Sequence, residues 1–409
     1  MSTFWRLSYR EAKAIAVILA VVLWSIAAVF LVATPGYRSF FGPLKGGDFI
    51  QFYAMGAAAK TTPDGGLYDV KRLHAVQTAL LPESDPELYL PVYPPQTWLL
   101  FIPFTTLSYG PAVILWTLVI VAVYAWVVHR TWRVFRDVLP DGLFIAVLAA
   151  AFPPFWNLVL NGQNTIIPLA TFFLAWRALE SNRKFLAGFV LGILFFKPQF
   201  GVALAVIVLF NLELGMLAGI AASAALQIAV VAGTLDVSAL MDYVRFMQRV
   251  MTVEHLIEPQ PFELHSIRAI TRLVPGWVGT TLWVAASAVV LQRAMVVWRR
   301  ADNAAVRMAA LVLATVLISP HLFLYDATVL ALPLLWIAAW VERGAGAHTR
   351  LANRFGILVA GLYAAFALPF ALVMFVQVSV LFMAWMHFAL ADAVVRTADG
   401  RAPAKVGAA

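Results

Sequence analysis

Ala14–Val32 reads AIAVILAVVLWSIAAVFLV and carries no charge. A helix rises 1.5 Å per residue, so about 20 such residues cross a hydrocarbon core roughly 30 Å thick. Arg6, Arg10 and Lys13 precede the run, as they would in a secretory leader. The run is long for a leader core, however, and Leu31 sits where a small residue should precede a cut after Ala33. An uncleaved first membrane span is therefore expected.

Similar runs recur along the chain. Twelve are read, at about 14–33, 96–129, 141–158, 164–179, 185–197, 200–215, 216–233, 277–298, 305–319, 326–341, 354–371 and 373–392. The second is too long for one helix and is interrupted by Pro103, Gly110 and Pro111. It divides into a short or re-entrant piece over 96–107 and a span over 110–129. The short pair around Lys197 reads as broken helices lining a cavity. The predicted fold class is an all-α polytopic membrane protein of about 12 transmembrane helices. One integral domain is expected over 1–396, with a disordered tail over 397–409.

Composition agrees. Of 409 residues 62% are hydrophobic and only 12% charged, which excludes an ordinary soluble protein. The absence of cysteine excludes disulfides and thiolate chemistry. The net charge of +8 would suit a nucleic-acid partner only if it were clustered for one.

It is distributed by topology instead. With the N-terminus inside and the spans alternating, the inner segments hold 19 of the 29 basic residues and 9 of the 21 acids. That leaves +10 inside and −2 outside, the positive-inside pattern of a membrane protein. No nucleic-acid partner is called for. The two long outer segments, 34–95 and 234–276, contain helical periodicity at Gln51–Lys60, Val70–Leu81 and Met241–Val250. Helices lying along the outer interface are expected there.

Placed on this topology, the unusual polar motifs all fall on the outer side. They are Gly46-Gly47-Asp48-Phe49, Tyr93-Pro94-Pro95, Asn161-Gly162-Gln163-Asn164, Lys197-Pro198-Gln199, and Ser319-Pro320-His321 with Tyr325-Asp326. Ionisable groups at span ends are costly unless they face a cavity. Asp48 reads equally as a general base or as a helix N-cap. Lys197 reads as an anion contact or as a snorkelling lysine. His321 could donate a proton, bind a phosphate oxygen or be structural. Asp326 could join the same site or cap the next span. The Asn161–Asn164 amides suit sugar hydroxyls and equally suit a tight turn. Arg245, Arg249, Arg268 and Arg272 are candidates for lipid phosphates or plain headgroup-facing arginines, and His387 is expected to bond a neighbouring helix. No P-loop, zinc-ligand spacing or serine elbow is present.

In this order, the motifs resemble glycosyltransferase family 87. The resemblance rests on Gly47-Asp48-Phe49-Ile50-Gln51-Phe52-Tyr53, Gly66-Leu67-Tyr68-Asp69, Tyr93-Pro94-Pro95, Asn161-Gly162-Gln163, Gly192 through Lys197-Pro198-Gln199, and Ser319-Pro320-His321 with Tyr325-Asp326. It implies the membrane-embedded C-class fold and a polyprenyl-phosphate sugar donor, typically carrying mannose. It implies a glycolipid or lipid-linked glycan as acceptor, membrane lipids as surroundings, and a bacterial inner membrane with the site facing outward. It makes Asp48 the base, with His321 beside it in catalysis. Lys197, Gln199 and Arg268 become donor-phosphate candidates, and Asn161, Gln163, Tyr93, Tyr53 and Asp326 orient sugar or carrier. Inversion and metal independence are expected, with a divalent ion at Asp48 left open. A secondary transporter or lipid flippase is the alternative. Transporters usually carry their ionisable groups near the midplane, whereas these lie toward one face.

Overall fold

The structure is a computed structural model, and it describes residues 9–61, 66–252, 263–344, 349–368 and 376–399. Its described regular structure is helical, apart from one isolated bridge between Arg38 and Leu44. The helices run in chain order as α1 (Tyr9–Val32), α2 (Phe49–Thr61), α3 (Val70–Leu80), α4 (Pro95–Phe101), α5 (Tyr109–Val134), α6 (Gly142–Ala150), α7 (Pro153–Leu160), α8 (Ile166–Glu180) and α9 (Lys184–Leu191). They continue as α10 (Pro198–Phe210), α11 (Leu214–Thr234), α12 (Ser238–Val250), α13 (Ile267–Thr271), α14 (Gly276–Arg300), α15 (Ala304–Ile318), α16 (Ala331–Glu342), α17 (Arg350–Ala367) and α18 (Val378–Ala398). Short 3₁₀ stretches include Ile102–Thr106, Gly192–Phe196 and Leu324–Leu330.

Each of the twelve apolar runs contains helix, but fewer reach membrane length. Among the described residues six helices are long and apolar enough to cross: α1, α5, α11, α14, Leu324–Glu342 and α18. A seventh arises if α6 and α7, bent by 51° at their junction, form one span. Proline explains much of the shortfall. Pro153 and Pro154 open α7, and Pro198 opens α10 just after Lys197 leaves helical geometry at φ −128°, ψ 80°. A residue before proline is pushed out of the α region, so α9 and α10 cannot fuse into one rod. The 15-residue helix α15 is buried along nearly all its length and packs at the centre of the bundle. A helix so enclosed needs no lipid-facing stripe.

The ion pairs sort the helix ends into two sets. Lys13–Asp141, Lys184–Glu213, Arg293–Asp392, Arg300–Asp399 and Arg343–Asp137 join residues assigned above to the inner face. Arg38–Glu87 and Lys197–Asp326 join residues of the other face. Each of these pairs thus joins two residues that the charge pattern places on the same face. At the C-terminus the last helix continues through Ala398 and Asp399 pairs with Arg300 at 2.7 Å, so the first residues of the expected tail are ordered; 400–409 lie outside the described residues.

One interfacial expectation fails. Helix α2, covering Gln51–Lys60, does not lie on a surface: Phe49 through Met55 are all buried, as are Gly56, Ala58 and Ala59. Apart from Gln51, Tyr53 and the last turn, its residues are small or apolar around the whole circumference, and Gly56 lets it touch α4. A methyl group at Gly56 would sit 2.7 Å from the carbonyl carbon of Phe101. Helix α12 does keep an amphipathic character, burying Ala239, Phe246 and Val250 while Arg245 and Arg249 stay outside. Phe246 and Tyr243 pack their rings at a tilt against Tyr68.

Candidate active site

The site is built where two glycine turns interlock. Gly46 and Gly47 have φ of +82° and +44°, and Gly162 has +56°, all in the left-handed region that favours glycine. The space allows nothing larger. A Cβ on Gly47 would lie 2.7 Å from Asn161 Cα, and one on Gly162 would lie 2.5 Å from the Gly46 carbonyl oxygen. The contact is fixed by hydrogen bonds: Asp48 N donates to Asn161 O at 2.9 Å, and Trp116 Nε1 donates to Gly162 O at 2.8 Å. Tyr109 OH donates to Lys45 O at 3.2 Å on the same loop.

This docking sets Asp48 beside Gln163, whose Nε2 donates to Asp48 Oδ2 at 2.5 Å. The carboxylate also receives the Tyr89 hydroxyl. It is thus engaged by side chains of other segments, as a site residue would be. Burial raises the Asp48 proton affinity above the ordinary carboxylate range. The Gln163 and Tyr89 donors and the charge of Lys197 oppose that rise, while Asp326 adds to it. The phenol of Tyr93 is pushed well above its usual range by burial and by the nearby Asp326 and Asp48 charges. Its hydroxyl reaches Gln163 Oε1 at 3.5 Å.

Behind this pair lies a buried ionic group. Lys197 Nζ sits 2.7 Å from Asp326 Oδ1, with side chains 3% and 2% exposed. Thr165 Oγ1 donates to the same carboxylate oxygen at 2.5 Å and lies 3.1 Å from Lys197 Nζ. Tyr325 places its ring 5.4 Å from the ammonium. Each partner comes from a helix interruption: Thr165 before α8, Lys197 before α10, and Asp326 in the 3₁₀ stretch before α16. Lys197 neither snorkels nor presents a free charge.

The structure therefore gathers Asp48, Gln163, Tyr93, Lys197 and Asp326, and it joins Asn161 through its main chain. The Asn161 side chain is turned away, donating to Asn157 O at 2.9 Å. Tyr53 is spent elsewhere, with its hydroxyl on Leu107 O at 2.6 Å. Gln199 lies partly buried in the first turn of α10. Arg268 points its guanidinium toward Trp283 and Thr280 instead of toward Asp48. His321 meets Phe323 edge-on with ring centres 4.7 Å apart, and Phe323 lies tilted against Tyr325 at 5.5 Å, so the imidazole borders the site through aromatic rings. His387 bonds a neighbouring helix as expected, through Nε2 and Val290 O at 3.0 Å.

Other members were not singled out from sequence. Thr165 directly follows the Asn161–Asn164 motif, and Tyr89 precedes Tyr93 by four residues, so adjacency was the available signal. Asn164 is fully buried with its side chain beside the Tyr93 hydroxyl, and its amide atoms meet no other hydrogen-bond partner among the described residues. Glu263 had no sequence signal. Burial and the Asp48 charge both raise its proton affinity, which brings the second long loop to the site. The loop is anchored there by His265, whose N–H donates to Leu322 O at 2.8 Å while its ring meets Ser379 Oγ at 2.8 Å. Burial pushes the His265 imidazole down to about 3, which keeps it neutral. Among the described residues no three His, Cys, Asp or Glu side chains are grouped as metal ligands.

A family model described as glycosyltransferase family 87 matches residues 92–320. That interval holds Tyr93, Gln163, Thr165 and Lys197, and it ends within the Ser319-Pro320-His321 motif. No curated protein and no solved structure matches the chain.

Proposed function

The chain belongs to glycosyltransferase family 87, and from that premise we propose that it moves a sugar, mannose by the resemblance, from a polyprenyl-phosphate carrier to a hydroxyl of a lipid or lipid-linked glycan. The observation that carries this reading is the Asp48 carboxylate, held by Gln163 at 2.5 Å where two loops meet and made more basic by burial. A general base needs reach to its proton and a suitable proton affinity. Asp48 has the second, and its partial exposure provides access for the first.

In this mechanism an Asp48 oxygen takes the proton of the acceptor hydroxyl. The hydroxyl oxygen forms a bond to the anomeric carbon as the bond from that carbon to the carrier phosphate breaks. Polyprenyl phosphate leaves with the bonding electron pair, and the sugar inverts. Developing phosphate charge needs an electrostatic partner. His321, partly exposed at the rim, is the candidate for contact. Lys197 acts at longer range, since its ammonium is already held by Asp326. Gln163 serves the base and Asn161 serves the backbone, so neither amide is left to hold the sugar. The site faces the outside of a bacterial inner membrane, opposite the cationic ends of the helices, following the positive-inside rule.

The test is transfer of radiolabelled mannose from synthetic polyprenyl-phosphate-mannose into a membrane lipid extract, with the purified chain and its Asp48→Asn variant. Label in a new lipid with the unmodified protein alone supports donor and base together. Efficient transfer from a soluble sugar nucleotide would remove the lipid-carrier assignment.

A further inference from the structure

The two ends of a glutamine amide have nearly the same shape, and the partners around them decide which end faces which neighbour. Gln163 is 3% exposed, and its ends meet different sets of groups. Nε2 donates to Asp48 Oδ2 at 2.5 Å. Oε1 accepts from the main-chain N–H of Asn164 at 3.3 Å and from the Tyr93 hydroxyl at 3.5 Å. A flipped amide would set Oε1 against the Asp48 carboxylate, acceptor on acceptor, and Nε2 against the Asn164 N–H, donor on donor. The Asn164 contact is local and travels with the turn that carries Gln163. Tyr93 belongs to another segment, so its hydroxyl ties the amide to a fixed point outside that turn.

Tyr93 is itself held firmly. Its carbonyl oxygen accepts from the Tyr68 hydroxyl at 3.0 Å and from Trp98 Nε1 at 3.2 Å. Its ring meets Phe52 edge-on with centres 5.2 Å apart. The contact with Gln163 is buried, so the hydroxyl serves protein groups. The Gly66-Leu67-Tyr68-Asp69 motif, which the transfer reaction left without a part, thereby reaches the site through the Tyr93 main chain.

We propose that Tyr93 is a positioning residue: its hydroxyl keeps the Gln163 amide turned with the N–H toward Asp48, and Tyr68 keeps Tyr93 in place. The inference rests on Asp48 as the base. The groups that face Asp48 are the phenols of Tyr89, Tyr93, Tyr109 and Tyr325, the Lys197–Asp326 pair and Glu263. A phenol ionises near pH ~10, and Lys197 and Asp326 neutralise each other as a pair. Loosening the Gln163 donor removes support from the charged form of Asp48, so its proton affinity rises.

The experiment is an infrared pH titration of the full chain in detergent, following the carbonyl stretch of protonated carboxyl groups. The band missing from Asp48→Asn belongs to Asp48. Tyr93→Phe keeps the ring and removes the hydroxyl, and its Asp48 midpoint lies about half a pH unit higher, the share of one weak hydrogen bond. The acid limb of transfer moves up with it. In a Gln163→Leu background Tyr93→Phe gives no further shift, because the amide through which it acts is gone. Tyr124→Phe removes a hydroxyl bonded to Ala149 O, about four turns along α5 from Tyr109, and leaves the midpoint in place. Thermal melting confirms that each variant is folded. An unchanged midpoint in Tyr93→Phe overturns the proposal, and a raised KM for the donor beside it would return the hydroxyl to the sugar. Equal shifts with and without Gln163 also overturn it, since Tyr93 would then act on Asp48 by another route. The titration needs no turnover, so a midpoint that moves while the acid limb stays would uphold Tyr93 and remove the base reading instead.

Discussion

Lys197 Nζ and Asp326 Oδ1 form a contact of 2.7 Å with both side chains almost wholly shut from solvent, and Thr165 completes the group. Buried pairs of this kind are expensive to desolvate, and removing one partner strands the other. Lys197→Met or Asp326→Leu alone should therefore lower stability by about 3–5 kcal/mol. The double variant should recover most of that loss, because no buried charge remains. Thermal unfolding in detergent of the two singles and the double checks this. Additive losses would show that the two charges do not act as a pair.

Asp48 is in the opposite position, since burial works against its charge. Asp48→Asn keeps the shape and the neighbours while removing a charge that the folded state holds at a cost. The variant should melt at the same temperature or higher. If Asp48 is the base, transfer should fall by a factor on the order of 10²–10⁴. Activity and melting measured on one preparation separate loss of chemistry from loss of fold.

The hydrogen bond from Gln163 stabilises the charged form of Asp48. Removing it must raise the carboxyl proton affinity further. A base must be deprotonated to act, so the acid limb of the rate profile should move to higher pH in Gln163→Leu and, more weakly, in Tyr89→Phe. In the unmodified protein that limb should already lie above the ordinary Asp range near ~3.9. Initial rates between mildly acidic and neutral pH read the shift. A limb moving to lower pH would contradict the assignment of these donors.

The helical class, the two-ended charge pattern and the grouping of Asp48, Gln163, Tyr93, Lys197 and Asp326 were all legible in the sequence. Apolar runs and arginine placement carry the first two directly. Span lengths were less legible: the break at Lys197 could be read, but hydropathy runs unbroken over 141–158, where Pro153 and Pro154 bend the chain between α6 and α7. The fate of α2 was hidden for another reason. Its apolar positions fit a helical stripe, and only the contact at Gly56 decides that the remaining face is buried too. Lys197 illustrates the limit for the site. Its sequence shows an ammonium in an apolar run, but whether that ammonium is free depends on Asp326, 129 positions away. Glu263 and His265 arrive through a long loop whose docking no local pattern encodes.

Gly47 and Gly162 hold the two turns together through positive φ and a contact too close for any side chain. Gly162→Ala should cost at least about 1–3 kcal/mol from backbone strain alone, before the clash with the Gly46 carbonyl is counted. Because the same contact aims Asp48 at Gln163, transfer should drop even in preparations that remain folded at low temperature. Gly36→Ala is the control. It also has positive φ, but its added methyl meets nothing within 4 Å, so it should keep its activity.

Asn164 offers a final discrimination between structure and chemistry. Its amide is fully buried, and apart from the Tyr93 hydroxyl beside it neither end meets a hydrogen-bond partner among the described residues. A buried polar group left in that condition is destabilising by about 1–3 kcal/mol. Asn164→Leu, of similar volume and with no polar atoms, should therefore raise the melting temperature of the ligand-free protein. If the amide meets a sugar hydroxyl, the same change should raise KM for the donor about fivefold, the worth of one hydrogen bond near ~1 kcal/mol. Gain of stability with loss of donor binding is the signature of a residue kept for its ligand. A variant that loses stability and leaves KM unchanged would make Asn164 part of the scaffold.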